Sequence, residues 1–278
     1  MIDFGCRKRH RDGTPIVRDI EVIEYAEALL KDYRPELLEY PGRIDGLHFI
    51  ETYLKANLDF QDIFYEEHEN PIAGATVFND EGVMVFDREN QCVREIAVEA
   101  DTVIIDNSTM EAGKEGFALF TQLHEAGHFC MHPAVYKRDP YQMSIFDLGR
   151  GYAARSVVMC KRTAIENRKG QLKTQEDFRE HQANVFAAAL EMPRRAFYRA
   201  TTRHIKEYDL GRDLNSVLVR PNKLDFNFEM GCREIIGLVA DAFGASRRAT
   251  EIQMMTLGLL MTEEQYANRH NTLIPRVF

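Results

Sequence analysis

Apolar positions near the amino end recur at three- and four-residue intervals. Ile20, Ile23, Tyr25, Ala26, Leu29 and Leu30 share one face and predict a helix over 19–33, with Pro35 following its end. Beyond the Pro41-Gly42 turn, Leu47, Ile50, Tyr53 and Leu54 predict a second helix over about 45–57. The period then shortens. Asp59–Tyr65 reads as a strand, and Ala75–Phe78 and Val83–Phe86 flank Asn79-Asp80-Glu81-Gly82 as the arms of a hairpin. Arg94–Val98 and Thr102–Asp106 continue the β character. Val103-Ile104-Ile105 is a continuous apolar run, so that strand is expected to be buried on both faces. Residues 59–106 together predict a small, mostly antiparallel sheet.

Helical spacing returns over 114–131 with Phe117, Phe120, Leu123, Ala126, Gly127 and Cys130, and Pro133 ends it. Residues 133–173 carry no long helical pattern. Pro140, Gly149 and Gly151 punctuate the stretch, Val157–Cys160 reads as a short strand and Glu166–Gly170 as a polar turn. A connection this long is expected to be functional or disordered, and directly after the 114–131 helix it is a candidate wall or lid for a cleft. Thr174 and Asp177 then form a capping-box pattern for a helix over 174–192, whose Phe178, Ala183, Phe186, Ala187 and Leu190 lie at helical spacing. Met192-Pro193 breaks it, and Pro193 opens a helix over about 194–208. After a mixed stretch with Asn215–Val219 extended, a helix from Met230 carries Ile235, Ile236, Val239, Ala240 and Phe243. Gly244-Ala245-Ser246 and a further helix over about 246–258 follow, which is helix–turn–helix spacing. The expected organisation is a basic tail over 1–20, one α+β domain over 21–208 and a helical segment over 209–278.

Composition narrows the function classes. Apolar residues make up 45% of the chain and charged residues 28%, an ordinary globular mixture with material for a real core. The net charge of -9 argues against a chain that coats nucleic acid, which needs a positive surface. In residues 229–278, five arginines meet six carboxylates, so the helix–turn–helix-like segment is itself slightly acidic. Direct DNA binding is therefore the weaker expectation there, and a packing or partner-docking role the stronger. Five widely spaced cysteines without a C-x-x-C pattern read as reduced thiols. No segment approaches the ~18 apolar residues of a membrane span, nor does an apolar run mark a signal peptide. A cytoplasmic location is the expectation. The cluster Arg7-Lys8-Arg9-His10-Arg11 is expected to be a solvated tail, with docking to an acidic partner, or a thiolate from Cys6 reaching a metal, as lesser alternatives.

The chemistry sits in Leu123-His124-Glu125-Ala126-Gly127-His128-Phe129, an H-E-x-x-H segment on a predicted helix. Positions i and i+4 share a face, so His124 and His128 can offer two imidazoles to one metal ion, with Glu125 beside them as general base. Catalytic zinc needs a third protein ligand and an open position. A histidine ten residues after the first, as in metzincins, is absent: His132 stands at plus eight and the required glycine is missing. The alternative is a glutamate on a later helix, and Glu180 fits. Asn184, four residues on, can hold the outer nitrogen of a ligating histidine. A lone helix glutamate is ordinarily a solvated carboxylate; the histidine pair upstream is what turns Glu180 into a ligand. His132 and His181 read as bystanders or supporting groups. The expected mechanism has Zn²⁺ held by His124, His128 and Glu180, with Glu125 taking the proton from the attacking water.

This combination resembles the ImmA/IrrE family of zinc metallopeptidase-like proteins. The resemblance rests on Val103-Ile104-Ile105, Leu123–Phe129 and Glu180-x-x-Ala183-Asn184 running on to Met192-Pro193. Pro41–Asp45 and Phe243–Ser246 extend it, for a coverage of roughly residues 35–260. It implies a gluzincin-like α+β peptidase domain followed by a helix–turn–helix-like segment. It also implies a protein substrate of the helix–turn–helix repressor or antitoxin-like regulator class. Two departures stand out. The stretch between His128 and Glu180 is longer than a minimal member needs, and little chain follows the last helices, so ligand sensing through a further domain is not expected. The strand near Val103–Asp106 is expected to pair with an extended substrate, and Tyr136, Tyr141, Tyr152 and Arg155 are the candidate oxyanion donors. The rival expectation is a non-proteolytic zinc-containing regulator that binds DNA or sequesters a repressor.

Overall fold

The structure is a computed structural model of the 278-residue chain that describes residues 2–66, 70–137, 157–161 and 172–269. The fold is α+β, in two compact units: residues 1–29 with 45–187, and residues 30–44 with 188–278.

In the first unit, α1 (Asp19–Tyr33) has Asp19 and Glu21 in its first turn and Lys31 in its last, the charge order the helix dipole favours. Asp45 caps α2 (Gly46–His48) by accepting from the His48 amide at 3.0 Å. The helix expected over 45–57 does not continue regularly. It widens into a π turn, Phe49–Tyr53, in which the adjacent Phe49 and Ile50 are both fully buried. Lys55, at φ 61, then turns the chain into β1 (Asn57–Gln61).

The strands β2 (Ile72–Val77), β3 (Glu81–Asp87), β4 (Cys92–Val98) and β5 (Thr102–Asp106) follow. Then come α3 (Glu115–Met131), α4 (Pro133–Tyr136), β6 (Val157–Lys161) and α5 (Gln175–Glu191). The main sheet has the order β1-β5-β2-β6 and is mixed: β1 runs parallel to β5, while β2 is antiparallel to both β5 and β6. The hairpin expected between Ala75–Phe78 and Val83–Phe86 does not form. β3 instead pairs with β4 in a separate two-stranded sheet, turning at Arg88–Gln91. The physical reason lies in burial. All six residues of β2 are buried, and it needs a neighbour on each side; β3 alternates, with Val83 and Val85 inward and Met84 and Phe86 outward. β5 is buried along its whole length, and it lies between β1 and β2. Both its edges are taken, which corrects the expectation that this strand pairs with a substrate backbone.

β2 separates two layers. Ile72, Ala75 and Val77 join Ile63, Val83, Val85, Val98 and Ile104 in one apolar cluster. Gly74 and Thr76, at the alternate positions, face α3 instead. α3 itself is buried from Ala118 through His128, and it stops where Pro133 opens α4. α5 starts at a reciprocal cap: Thr174 Oγ1 accepts from the Asp177 amide at 3.0 Å, and Asp177 Oδ2 accepts from the Thr174 amide at 2.8 Å.

The amino-terminal residues are not a solvated tail. Phe4 packs on Tyr25 with centroids 4.8 Å apart, Arg9 and Pro15 form an antiparallel bridge around Gly13 (φ +92), and Thr14 is fully buried. Arg179 of α5 donates to Asp12 Oδ2 at 3.0 Å and Thr14 Oγ1 at 2.7 Å. Arg7, Lys8, Arg9 and Arg11 remain exposed. The basic cluster is thus the outer face of a packed segment.

The second unit contains α6 (Arg194–Glu207), β7 (Leu218–Arg220), α7 (Phe226–Phe243), α8 (Arg247–Thr256), β8 (Leu260–Thr262) and α9 (Glu263–Asn268), with β7 and β8 parallel. Asp225, Ser246 and Thr262 cap α7, α8 and α9, and Gly244 ends α7 at φ +68. α6 belongs here rather than with the metal-motif domain, so the division falls at Ala187/Ala188 instead of 208/209. Ala196, Phe197, Ala200 and Ile205 lie on its apolar face and join Ile235, Val239, Phe243 and Met254 in one core. No helix among the described residues is long and apolar enough to cross a membrane.

Candidate metal centre

α3 presents His124 and His128 one turn apart, with Nε2 atoms 3.0 Å from each other. α5 brings Glu180 to the same point: Oε2 lies 3.3 Å from His124 Nε2, and Oε1 lies 3.3 Å from His128 Nε2. One ligand atom from each of the three falls within 4.8 Å of the others. The two imidazoles are fully buried and the carboxylate side chain is 17% exposed.

A glycine sets this approach. A Cβ on Gly127 would lie 3.1 Å from Phe186 Cδ1 and 3.2 Å from Ala183 Cα, so α3 and α5 cross with no room for a side chain. Gly127→Leu is expected to destabilise the chain by about 1–3 kcal/mol through overpacking. It should also weaken metal binding in a chelator-competition titration, because the clash pushes Glu180 away from the histidines. Unchanged affinity with unchanged thermal stability would contradict that placement.

Each ring is held from behind. His124 Nδ1 lies 3.1 Å from Asn184 Oδ1. An amide oxygen only accepts, so Nδ1 carries the hydrogen and Nε2 faces the metal position. His128 Nδ1 lies 3.0 Å from His132 Nδ1, and His132 Nε2 lies 3.0 Å from Gln182 Oε1.

The electrostatics suit a cation. Burial alone would raise Glu180, but the His128 and His124 imidazoles that face it outweigh burial and hold the carboxyl well below the usual range. Burial also disfavours charge on the rings. Glu180 overcomes it at His124, whose pKa is raised, while burial wins at His128, whose pKa is lowered.

Glu125 is fully buried beside the ligands. Thr76 donates to its Oε2 at 2.7 Å, while Oε1 is buried with no hydrogen-bond partner. Burial pushes its pKa up to about 7, against the lowering effects of His124 and Thr76. Gly74 leaves the space: a Cβ there would lie 2.9 Å from Glu125 Oε1 and 3.0 Å from Glu125 Cγ. Reading the sequence missed both Gly74 and Thr76. Their signal was a glycine inside a strand pattern with a hydroxyl two positions on, hence on the same face. Cys160 on β6, one of the cysteines read from sequence as reduced thiols, also reaches the site: its Sγ falls within 4.8 Å of the ligand atoms of His124 and Glu125. Burial, with Glu180 and Glu125 nearby, pushes the thiol well above its ordinary pKa and keeps it neutral.

Two imidazole nitrogens, a carboxylate and buried bare oxygens on Glu125 and Glu180 form a donor set that can hold a metal ion. The remaining candidates make other contacts among the described residues. His181 contacts Asp19 at 2.8 Å, and Cys6 donates to the Lys8 carbonyl at 2.9 Å. Tyr136 stacks on Phe78, with the Arg179 guanidinium 5.3 Å from its ring centroid. Tyr141, Tyr152, Arg155 and the Glu166–Gly170 turn lie outside the described residues. No protein-family model matches the chain, and no curated protein matches it.

Proposed function

We propose that the chain is a zinc-dependent endopeptidase of the gluzincin kind, allied to the ImmA/IrrE family, that cuts a helix–turn–helix repressor or antitoxin-like regulator in the cytoplasm. The observation that carries this reading is Glu125: a buried carboxylate with one oxygen tied to Thr76 and the other bare, beside three converging donors. A site that served structure alone has no use for an unpaired base.

His124, His128 and Glu180 would hold the Zn²⁺, and Asn184 keeps His124 in register. Bound there, zinc would supply Lewis acidity to polarise a carbonyl and make a water ionisable near pH 7. Glu125 accepts the proton on Oε1 and returns it to the departing amine. Thr76 prevents the carboxylate from rotating away, and Gly74 leaves Oε1 uncovered. Neither histidine moves a proton once its lone pair is engaged. β6, at an end of the sheet, replaces β5 as the strand that can align an extended peptide.

α7, Gly244–Ser246 and α8 form the helix–turn–helix-like module in this reading. Arg248 at the start of α8 is paired with Glu251 at 2.9 Å, and Arg220 contacts the same carboxylate at 3.4 Å. Those pairings favour docking to a protein over binding to phosphate.

The test incubates the zinc-loaded chain with the regulators encoded beside it, with and without chelator. Chelator-sensitive fragments, restored by added zinc, are the expected result. A stable complex with an intact regulator would replace cutting by sequestration, and salt-sensitive DNA binding at physiological ionic strength would favour the regulator reading.

A further inference from the structure

His132 takes no place in the ligand set, yet it is fully buried, and both its ring nitrogens are used. The direction of each hydrogen bond follows from the far end. The Pro15 carbonyl can only accept, so Gln182 Nε2 donates to it, at 2.9 Å. That fixes the amide orientation and leaves Gln182 Oε1, which can only accept, facing His132 Nε2 at 3.0 Å. His132 therefore carries its hydrogen on Nε2 and has a lone pair on Nδ1. That lone pair faces His128 Nδ1 at 3.0 Å, so His128 carries its hydrogen on Nδ1 and keeps Nε2 bare.

We propose that His132 is a positioning residue: the chain Pro15 carbonyl–Gln182–His132–His128 locks His128 in the Nδ1–H tautomer with its Nε2 lone pair aimed between His124 and Glu180. The proposal deepens the reading of this site as a zinc centre and rests on it. The two ligand histidines are thus held by different means. His124 leans on an amide oxygen four residues after Glu180; His128 leans on a neutral imidazole four residues after itself. A cationic His132 would reverse the bond and push the hydrogen of His128 onto Nε2, where it would block a metal. Neither hydrogen-bond partner of the His132 ring is a carboxylate that would hold such a cation. The relay also explains why a polar glutamine is buried within the apolar face of α5.

Two measurements test this. In the metal-free, ¹⁵N-histidine-labelled chain, long-range ¹H–¹⁵N correlations should assign His132 as the neutral Nε2–H tautomer and show a hydrogen on His128 Nδ1. A His128 bearing hydrogen only on Nε2, or a charged His132, would overturn the assignment. Zinc affinity by competition with a chromophoric chelator is the second. His132→Leu should weaken binding about 10–100-fold, the range for groups behind metal ligands. His132→Asn, whose Oδ1 can stand in for Nδ1 as acceptor, should restore most of that loss. Equal losses in both, or none in His132→Leu, would overturn the positioning role. If His132→Leu does not fold, Gln182→Met breaks the next link and should also weaken zinc, with unchanged affinity counting against the relay. Failure of the unaltered chain to bind zinc at all would sink the metal-centre reading instead, while the tautomer measurement still stands by itself.

Discussion

Replacing Glu125 by Gln is expected to leave one zinc per chain and to cut peptide hydrolysis by about 10²–10⁴-fold, the usual contribution of a positioned general base. The two side chains have the same shape, and Thr76 can still donate to the amide oxygen, so the ligands on either side need not move. Glutamine has no lone pair of comparable basicity to offer at the buried Oε1 position. Folding should not suffer. Burial raises Glu125 to about 7, which means that the ionised form is disfavoured in the folded, metal-free chain, and the stability linked to the protonated form is lost as pH rises through that value. Gln removes that dependence, so the metal-free variant should be at least as stable as the unaltered chain above pH 7. Elemental analysis, a pH series of thermal melts and a cleavage time course check the three parts. Undiminished cleavage would remove Glu125 from the chemistry.

Glu180→Ala should act differently, through the metal itself. It removes one of three donors and leaves the two buried imidazoles without the carboxylate that faces both. Zinc affinity is expected to fall by more than the about 10–100-fold typical of groups behind the ligands. The loss should also appear as lost stabilisation: zinc at about 100 times its Kd stabilises a folded chain by about 2.7 kcal/mol, and the Ala variant should not show that shift at the same zinc concentration. Melting curves with and without zinc for both chains are the measurement. Identical zinc-dependent shifts would place the third ligand elsewhere.

The motif helix was legible because its chemistry and its period coincide: His124 and His128 share a face that α3 buries, and Pro133 marks its end. α5 was legible for the same reason, with a cap at Thr174 and Asp177 and with Glu180 and Asn184 one turn apart. The pairing of strands was not. Asn79–Gly82 looks like a hairpin turn by local chemistry, but which strands pair is decided by how many faces must be covered. Gly74 and Thr76 meet Glu125 only because β2 lies against α3, a juxtaposition of residues about fifty positions apart. The amino-terminal segment was misread because its exposed arginines dominate the pattern, while the residues that seat it, Phe4, Asp12 and Thr14, are few and scattered.

Arg179 and Glu180 are neighbours on one helix, yet the first reaches outward to Asp12 and Thr14 and the second inward to the histidines. Gln182, two residues on, ties the same amino-terminal segment to His132 through Pro15. If the centre binds zinc as proposed, the segment and the site are expected to be thermodynamically linked: peeling residues 10–15 from α5 should lower the affinity of the centre, and by reciprocity a filled centre should tighten the grip on those residues by the same factor.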